Sequence, residues 1–170
     1  MPNPINPKRL KNKATNYLAR YASTEEKLTL ILLKYTKKKW PEITIEEALK
    51  CVKQTVDWCR KKGYVNDYDY MVMKVRTGRS KGQSAKQITQ KLFQAGLSKS
   101  LISSALLEDE NFFEKEFKAA LIMAKKKKIG PFSLIPVTDQ TERTRQMARL
   151  ARAGFDYEIC KNVFDYLGET

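Results

Sequence analysis

One stretch of this chain occurs twice. Ala95-Gly96-Leu97-Ser98 is followed by Leu101, Ile102, Ala105 and Leu106, and Ala153-Gly154-Phe155-Asp156 by Ile159, Cys160, Val163 and Phe164. Every match lies 58 positions on, Leu92 and Leu150 included. Each copy reads as a helix closed by a C′ glycine, then a Ser or Asp N-cap and a helix with one apolar stripe. A fainter copy runs through Leu28, Ile31 and Leu32, then Ala48, Cys51, Val52 and Val56. There Lys37-Lys38-Lys39-Trp40-Pro41 stands in place of the short glycine turn. Such a chain is confined to tandem helical units that bury their apolar faces on neighbours.

Helix signals fill the rest. Ser23 with Glu26 has capping-box spacing and opens a helix over 24–38; Thr44 with Glu47 opens one that runs to Lys62 and stops at Gly63. Ser84 with Gln87 opens another, closed by Gly96, and Asn111 with Glu114 opens one that ends near Lys125–Lys128 and Gly130-Pro131. Further helices are expected near 8–22, 67–79, 99–109, 140–153 and 157–167, with stops at Gly154 and Gly168. No stretch alternates strictly enough for a good strand. The expected class is all-α, with three tandem three-helix units over 11–62, 63–112 and 113–170 behind a flexible arm at 1–10. Contacts restricted to neighbouring units favour an elongated or curved body.

The residue inventory removes whole classes of chemistry. The 170 residues include no histidine, which excludes His-based acid/base work, Ser-His-Asp and Cys-His sites, and imidazole-ligated zinc. Cys51 and Cys59 lie eight residues apart on one expected helix, a rise of ~12 Å that no disulfide spans. With Cys160 they read as reduced, mostly buried thiols of a cytoplasmic protein. The N-terminus has no apolar targeting core, and runs such as Leu30 to Leu33 are too short to cross a bilayer. No membrane, metal or cofactor is expected, and no enzymatic activity.

Charge supplies the positive signal. The chain carries 33 Lys+Arg against 19 Asp+Glu, a formal +14. Residues 1–62 hold 15 basic and 6 acidic side chains, residues 63–112 hold 7 and 5, and residues 113–170 hold 11 and 8. The lysine runs 37–39 and 125–128 fall at expected helix C-termini, where cations offset the macrodipole. The total excess still sets up a field that attracts polyanions.

Several sharper readings fail on detail. Thr77-Gly78-Arg79-Ser80-Lys81-Gly82-Gln83-Ser84 has three residues between its glycines, not the four of a phosphate loop, and reads as a flexible basic turn. The helices after Gly96 and Gly154 offer few side chains able to read base edges, so helix-turn-helix recognition is a poor fit. Glu108-Asp109-Glu110 has no opposing carboxylate pair, and Asp67 and Asp69 are explained by a helix start. Trp58, Tyr64, Tyr70, Phe93, Phe112 and Phe164 are expected in packing, not as stacking platforms for bases.

At this point a family resemblance emerges. Gly63-Tyr64-Val65-Asn66-Asp67-Tyr68-Asp69-Tyr70, followed by Val75-Arg76, Arg79, Lys81-Gly82, Ile88 and Leu92, resembles the second repeat of the RecX family. Tyr17-Leu18-Ala19-Arg20 with Ser23 and Leu28 resembles the first repeat. Ile129-Gly130-Pro131-Phe132 and the Arg-rich Arg143 to Gly154 segment, with Phe155 and Tyr157, resemble the third. The likeness runs from about Ala14 to Leu167. It implies a bacterial regulator of the RecA recombinase that docks in the groove of the RecA–single-strand DNA filament and spans neighbouring protomers. By suppressing filament growth or ATP turnover it would restrain recombination and the SOS response. Exposed cations are expected to meet that partner: Arg20, Lys37, Lys38 and Lys39; Arg76, Arg79, Lys81 and Lys86; and Arg145, Arg149 and Arg152. Single-stranded DNA alone would be bound weakly and without sequence preference, by a monomer. The rival is a sequence-nonspecific nucleic-acid-binding helical module with no recombinase partner.

Overall fold

The computed structural model describes residues 4–106, 110–134 and 139–166. They form nine α-helices: α1 (Pro7–Leu18), α2 (Glu25–Lys39), α3 (Ile45–Lys61), α4 (Asp67–Ser80), α5 (Ala85–Gln94), α6 (Lys99–Leu106), α7 (Phe112–Lys127), α8 (Gln140–Arg152) and α9 (Tyr157–Phe164). A 3₁₀ turn at Gly130–Phe132 precedes α8. No strand occurs among the described residues, and the chain is all-α as expected. The expected stop at Gly168, the end of the likeness at Leu167, and Glu108 and Asp109 of the acidic cluster lie outside the described residues.

Local chemistry explains most helix starts. At α3 the Glu47 amide donates to Thr44 Oγ1 at 3.3 Å while the Thr44 amide donates to the Glu47 carboxylate at 3.4 Å, a complete capping box. Two expectations need correction. Thr24, not Ser23, caps α2: Thr24 is extended and its Oγ1 accepts from the Lys27 amide at 3.2 Å, while Ser23 turns its hydroxyl to the Thr24 carbonyl. Asn111 precedes α7 with φ −97° and ψ 22°, outside the extended geometry of a cap, and makes no capping bond. The N-terminal segment also differs from a loose arm. Asn6 caps α1 with Pro7 in the first turn, and Ile5 and Leu10 are buried.

Contacts divide the molecule into two compact units: Met1–Tyr70 with Gln94–Ser98, and Met71–Phe93 with Lys99–Thr170. The first is built on α1, α2 and α3 around Leu10, Leu28, Leu32, Val52 and Cys59. The second has a core of Ala119, Ala120, Ala124, Leu150, Ile159 and Val163 from α7, α8 and α9. Aromatic residues are only partly in packing. Tyr70 is buried and Tyr64, though half exposed, sets its ring edge-on to Trp58 at 5.5 Å, whereas Phe93 is 64% exposed because it falls off the Ile88–Leu92 face of α5.

The echo at 58 residues acquires a physical meaning here. Thr24 Oγ1, at the start of α2, donates to the Ala95 carbonyl at the end of α5 at 2.5 Å. Ser84 Oγ, at the start of α5, donates to the Ala153 carbonyl at the end of α8 at 2.6 Å. Each hydroxyl also accepts from its own helix's third amide, Lys27 or Gln87, at 3.2 Å. A hydroxyl does both at once; a carboxylate only accepts. Beside each bond sits a second one. The first amide of α2, Glu25, donates to Asp67 Oδ1 at 2.9 Å, and the first amide of α5, Ala85, donates to the Glu116 carboxylate at 3.1 Å.

The glycines complete this clasp. Gly96 and Gly154 have φ of +88° and +91°, and a Cβ on them would run into Glu26 or into Ser84 Oγ and Lys86. The outer ends of the series lack the unused halves: α2 ends at Trp40 without a glycine, and α8 is capped by Asp139, which cannot donate as a carboxylate. The Gln94–Ser98 turn therefore belongs to the first unit. Replacing Ser84 with Ala removes an N-cap and leaves a buried carbonyl unpartnered, so urea unfolding should show a loss of about 2 kcal/mol. Ser84→Thr should recover most of it, and a loss below about 0.5 kcal/mol would dismiss the clasp.

Candidate partner-binding surface

Cations reach solvent in separate sets. In the first unit Arg20 follows α1, and Lys37, Lys38 and Lys39 form the last turn of α2, all exposed. The negative end of the helix dipole lies under those three lysines.

In the second unit the middle-turn cations part ways. Arg76, Lys81 and Lys86 are exposed. The stem of Lys86 lies over Gly154, where a Cβ would sit 3.0 Å from Lys86 Cβ. Arg79, expected as a free cation, is turned inward: its side chain is 14% exposed and ion-paired to the buried Glu116 carboxylate. Its guanidinium also lies over the Phe112 ring, 5.8 Å from the centroid. Glu116 occupies the helix face that carries Ala119 and Ala120, so it is a charge on a core stripe and needs a partner. The turn itself is tightly packed: Gly82 has φ +76°, and a Cβ there would lie 2.8 Å from the Met123 backbone nitrogen.

Arg145, Arg149 and Arg152 recur at four- and three-residue spacing, which places them on one exposed face of α8. Arg145 reaches Glu142 at 3.4 Å and stays 74% exposed, and Arg152 Nε donates to the Ala148 carbonyl at 3.1 Å. Arg149 Nη2 donates to the Lys127 carbonyl at 3.3 Å. That bond sets the arginine face of α8 beside the C-terminal turn of α7, where Lys125, Lys126, Lys127 and Lys128 are all exposed. Lys128 takes φ +53°, turning the chain there without a glycine. Two charge runs that are distant in sequence thereby form one basic surface. The sequence offered no sign of this, because the tie is a side chain to a backbone carbonyl 22 residues away.

Burial pushes the Cys160 thiol up to about 11, with the Asp156 carboxylate adding to the effect, and burial raises Cys59 as well. Both thiols are thus poor nucleophiles at neutral pH. Among the described residues no group of three His, Cys, Asp or Glu side chains is placed to hold a metal ion, and no helix is long and apolar enough to cross a membrane.

No protein-family profile matches the sequence. Individual relatives do. The chain is 36% identical over 166 residues to the regulatory protein RecX of Myxococcus xanthus (strain DK1622), covering 96% of this chain and 88% of that one. The chain belongs to the RecX family. Regulatory protein RecX of Agrobacterium fabrum (strain C58) is 25% identical over 149 residues, 88% of this chain and 78% of the relative. The crystal structure of RecX from Lactobacillus salivarius superposes with a TM-score of 0.70 at 18% identity over 94% of both chains. A second crystal structure of regulatory protein RecX gives 0.67 at 21% identity, over 92% of this chain and 74% of the other. These structures establish the RecX fold for the tandem helices. The family name marks a regulatory protein, and the conspicuous surface feature of this RecX chain is its exposed positive charge.

Proposed function

We propose that this chain acts as a monomer in the cytoplasm on the RecA–single-strand DNA filament, docking in its groove and restraining recombination and the SOS response. The observation that carries this reading is the joined basic surface of α7 and α8, Lys125 to Lys128 beside Arg145, Arg149 and Arg152. Its cations are suited to phosphates and acidic protein surface, and no catalytic group accompanies them. Arg20, Lys37–Lys39, Arg76, Lys81 and Lys86 supply further points of attachment, and Arg79 acts indirectly by holding the middle turn in place.

The test is association with single-stranded DNA measured with and without bound RecA. A filament regulator binds the coated strand at least about tenfold more tightly than the bare strand at physiological salt. Equal affinity for both, with a steep fall of log K against log salt, would instead identify a nonspecific nucleic-acid binder.

A further inference from the structure

At the corner between α2 and α3, where Lys-Lys-Lys-Trp-Pro stands in place of the repeated glycine turn, lies an open cavity of about 370 Å³. Leu33, Trp40, Ile43 and Ala48 make its floor. Ile45 stands at the mouth, 66% exposed, and Leu49, 45% exposed, follows one turn later on the same face of α3. Ile45 and Leu49 together leave an open aliphatic patch beside a cavity of ligand size. The floor offers no free hydroxyl, since Thr36 Oγ1 donates to the Leu33 carbonyl at 2.8 Å. The charged lining residues are Lys34 and Lys37, and no carboxylate lines the cavity. Lys53 continues the Ile45–Leu49 face, and Glu42 and Glu46, exposed at the same corner, stay outside the lining.

The geometry points to a docking site for an acidic peptide segment of a partner protein, with one aliphatic or aromatic side chain in the cavity and carboxylates against Lys34 and Lys37. Charge complementarity selects the acidic flanks, and the floor selects the apolar anchor. A nucleic acid fits less well. It has no aliphatic group to fill the floor, and Trp40, 8% exposed with its ring set edge-on to Tyr35 at 5.9 Å, presents no open face for a base. The inference thus assigns lysines of the first unit to a protein contact and not to phosphate. It goes beyond the filament reading and does not depend on it.

The probe is a capped, fluorescein-labelled peptide in which a Leu-Phe pair is flanked on both sides by Asp and Glu, titrated by anisotropy with the full-length chain. Binding is expected to weaken about tenfold with Ile45→Asp, and about tenfold with Lys34→Glu combined with Lys37→Glu. Ile45 is at the first position of α3, where an acidic residue suits the helix dipole, so that variant keeps its fold. Changing the Leu-Phe pair of the peptide to Ser-Ser should abolish binding, and an oligothymidylate of equal charge should not displace the parent peptide. The proposal is overturned if the wild-type chain fails to bind the peptide, if Ile45→Asp binds it unchanged, if the Ser-Ser peptide binds equally, or if the oligothymidylate displaces it. That last result would identify a phosphate site. None of these outcomes involves RecA, so the filament reading stands or falls separately.

Discussion

Glu116→Ala will lower the unfolding free energy by about 3–5 kcal/mol, the usual result of breaking a buried ion pair from one side. Glu116 is 3% exposed, accepts from the Ala85 amide through both oxygens at 3.1 Å, and neutralises Arg79. The alanine variant leaves a guanidinium without its counterion and the first amide of α5 without an acceptor, and it opens a cavity beside Ala119 and Ala120. Glu116→Gln keeps an amide oxygen for Ala85 and should lose roughly half as much, since a hydrogen bond to a charged acceptor is about twice as strong as a neutral one. Guanidinium unfolding followed by circular dichroism measures both. An alanine variant within about 1 kcal/mol of wild type would show that the pair does not hold α4, α5 and α7 together. A double-mutant cycle with Arg79→Ala then isolates the pair: the two losses should fall well short of additive.

The same pair shows where the sequence could be read and where it could not. Helix positions follow from short-range signals: the Thr44–Glu47 box, the Gly63 and Gly154 stops, and the period of Leu28, Leu32 and Val52, Val56. The repeat was visible because the turn Ala-Gly-apolar-Ser/Asp must recur wherever a glycine with positive φ meets a neighbouring helix start. What the turn meets was not visible. Thr24 reaches Ala95 and Ser84 reaches Ala153 across 71 and 69 residues, separations at which residue spacing carries no information. Arg79 looked like its neighbours Arg76 and Lys81 for the same reason. A signal did exist, in the lone acid at 116 riding on the stripe that continues as Ala119, Ala120 and Ala124. An acid on a core stripe demands a cation, but residue spacing could not say that Arg79, 37 residues away, would supply it. The surface of α7 and α8 was half legible: the spacing of 145, 149 and 152 puts three arginines on one face, but only the fold sets the 125–128 run beside them.

Reversing Lys126, Arg145 and Arg152 to Glu will weaken association with the RecA-coated strand by roughly a hundredfold at low salt, if each attractive contact contributes on the order of 1 kcal/mol. Reversing Arg76 and Lys81 together should cost about tenfold, because fewer charges change and they lie at the middle turn. Arg79 must stay. Turned to Glu, it would face Glu116 in a site with 14% exposure, and the resulting loss of binding would report unfolding and not a lost contact. Lys126, Arg145 and Arg152 are exposed, so reversing them should move the melting temperature by less than about 4 °C. Salt separates attraction from shape: the gap between wild type and variant should narrow steadily as ionic strength rises and the Debye length falls below ~8 Å. A gap that keeps its size at high salt would mean that the substituted side chains pack against the partner. No gap at any salt would mean that the α7–α8 surface faces away from the filament, and would leave Arg20, Lys37–Lys39, Arg76, Lys81 and Lys86 as the cations that meet it.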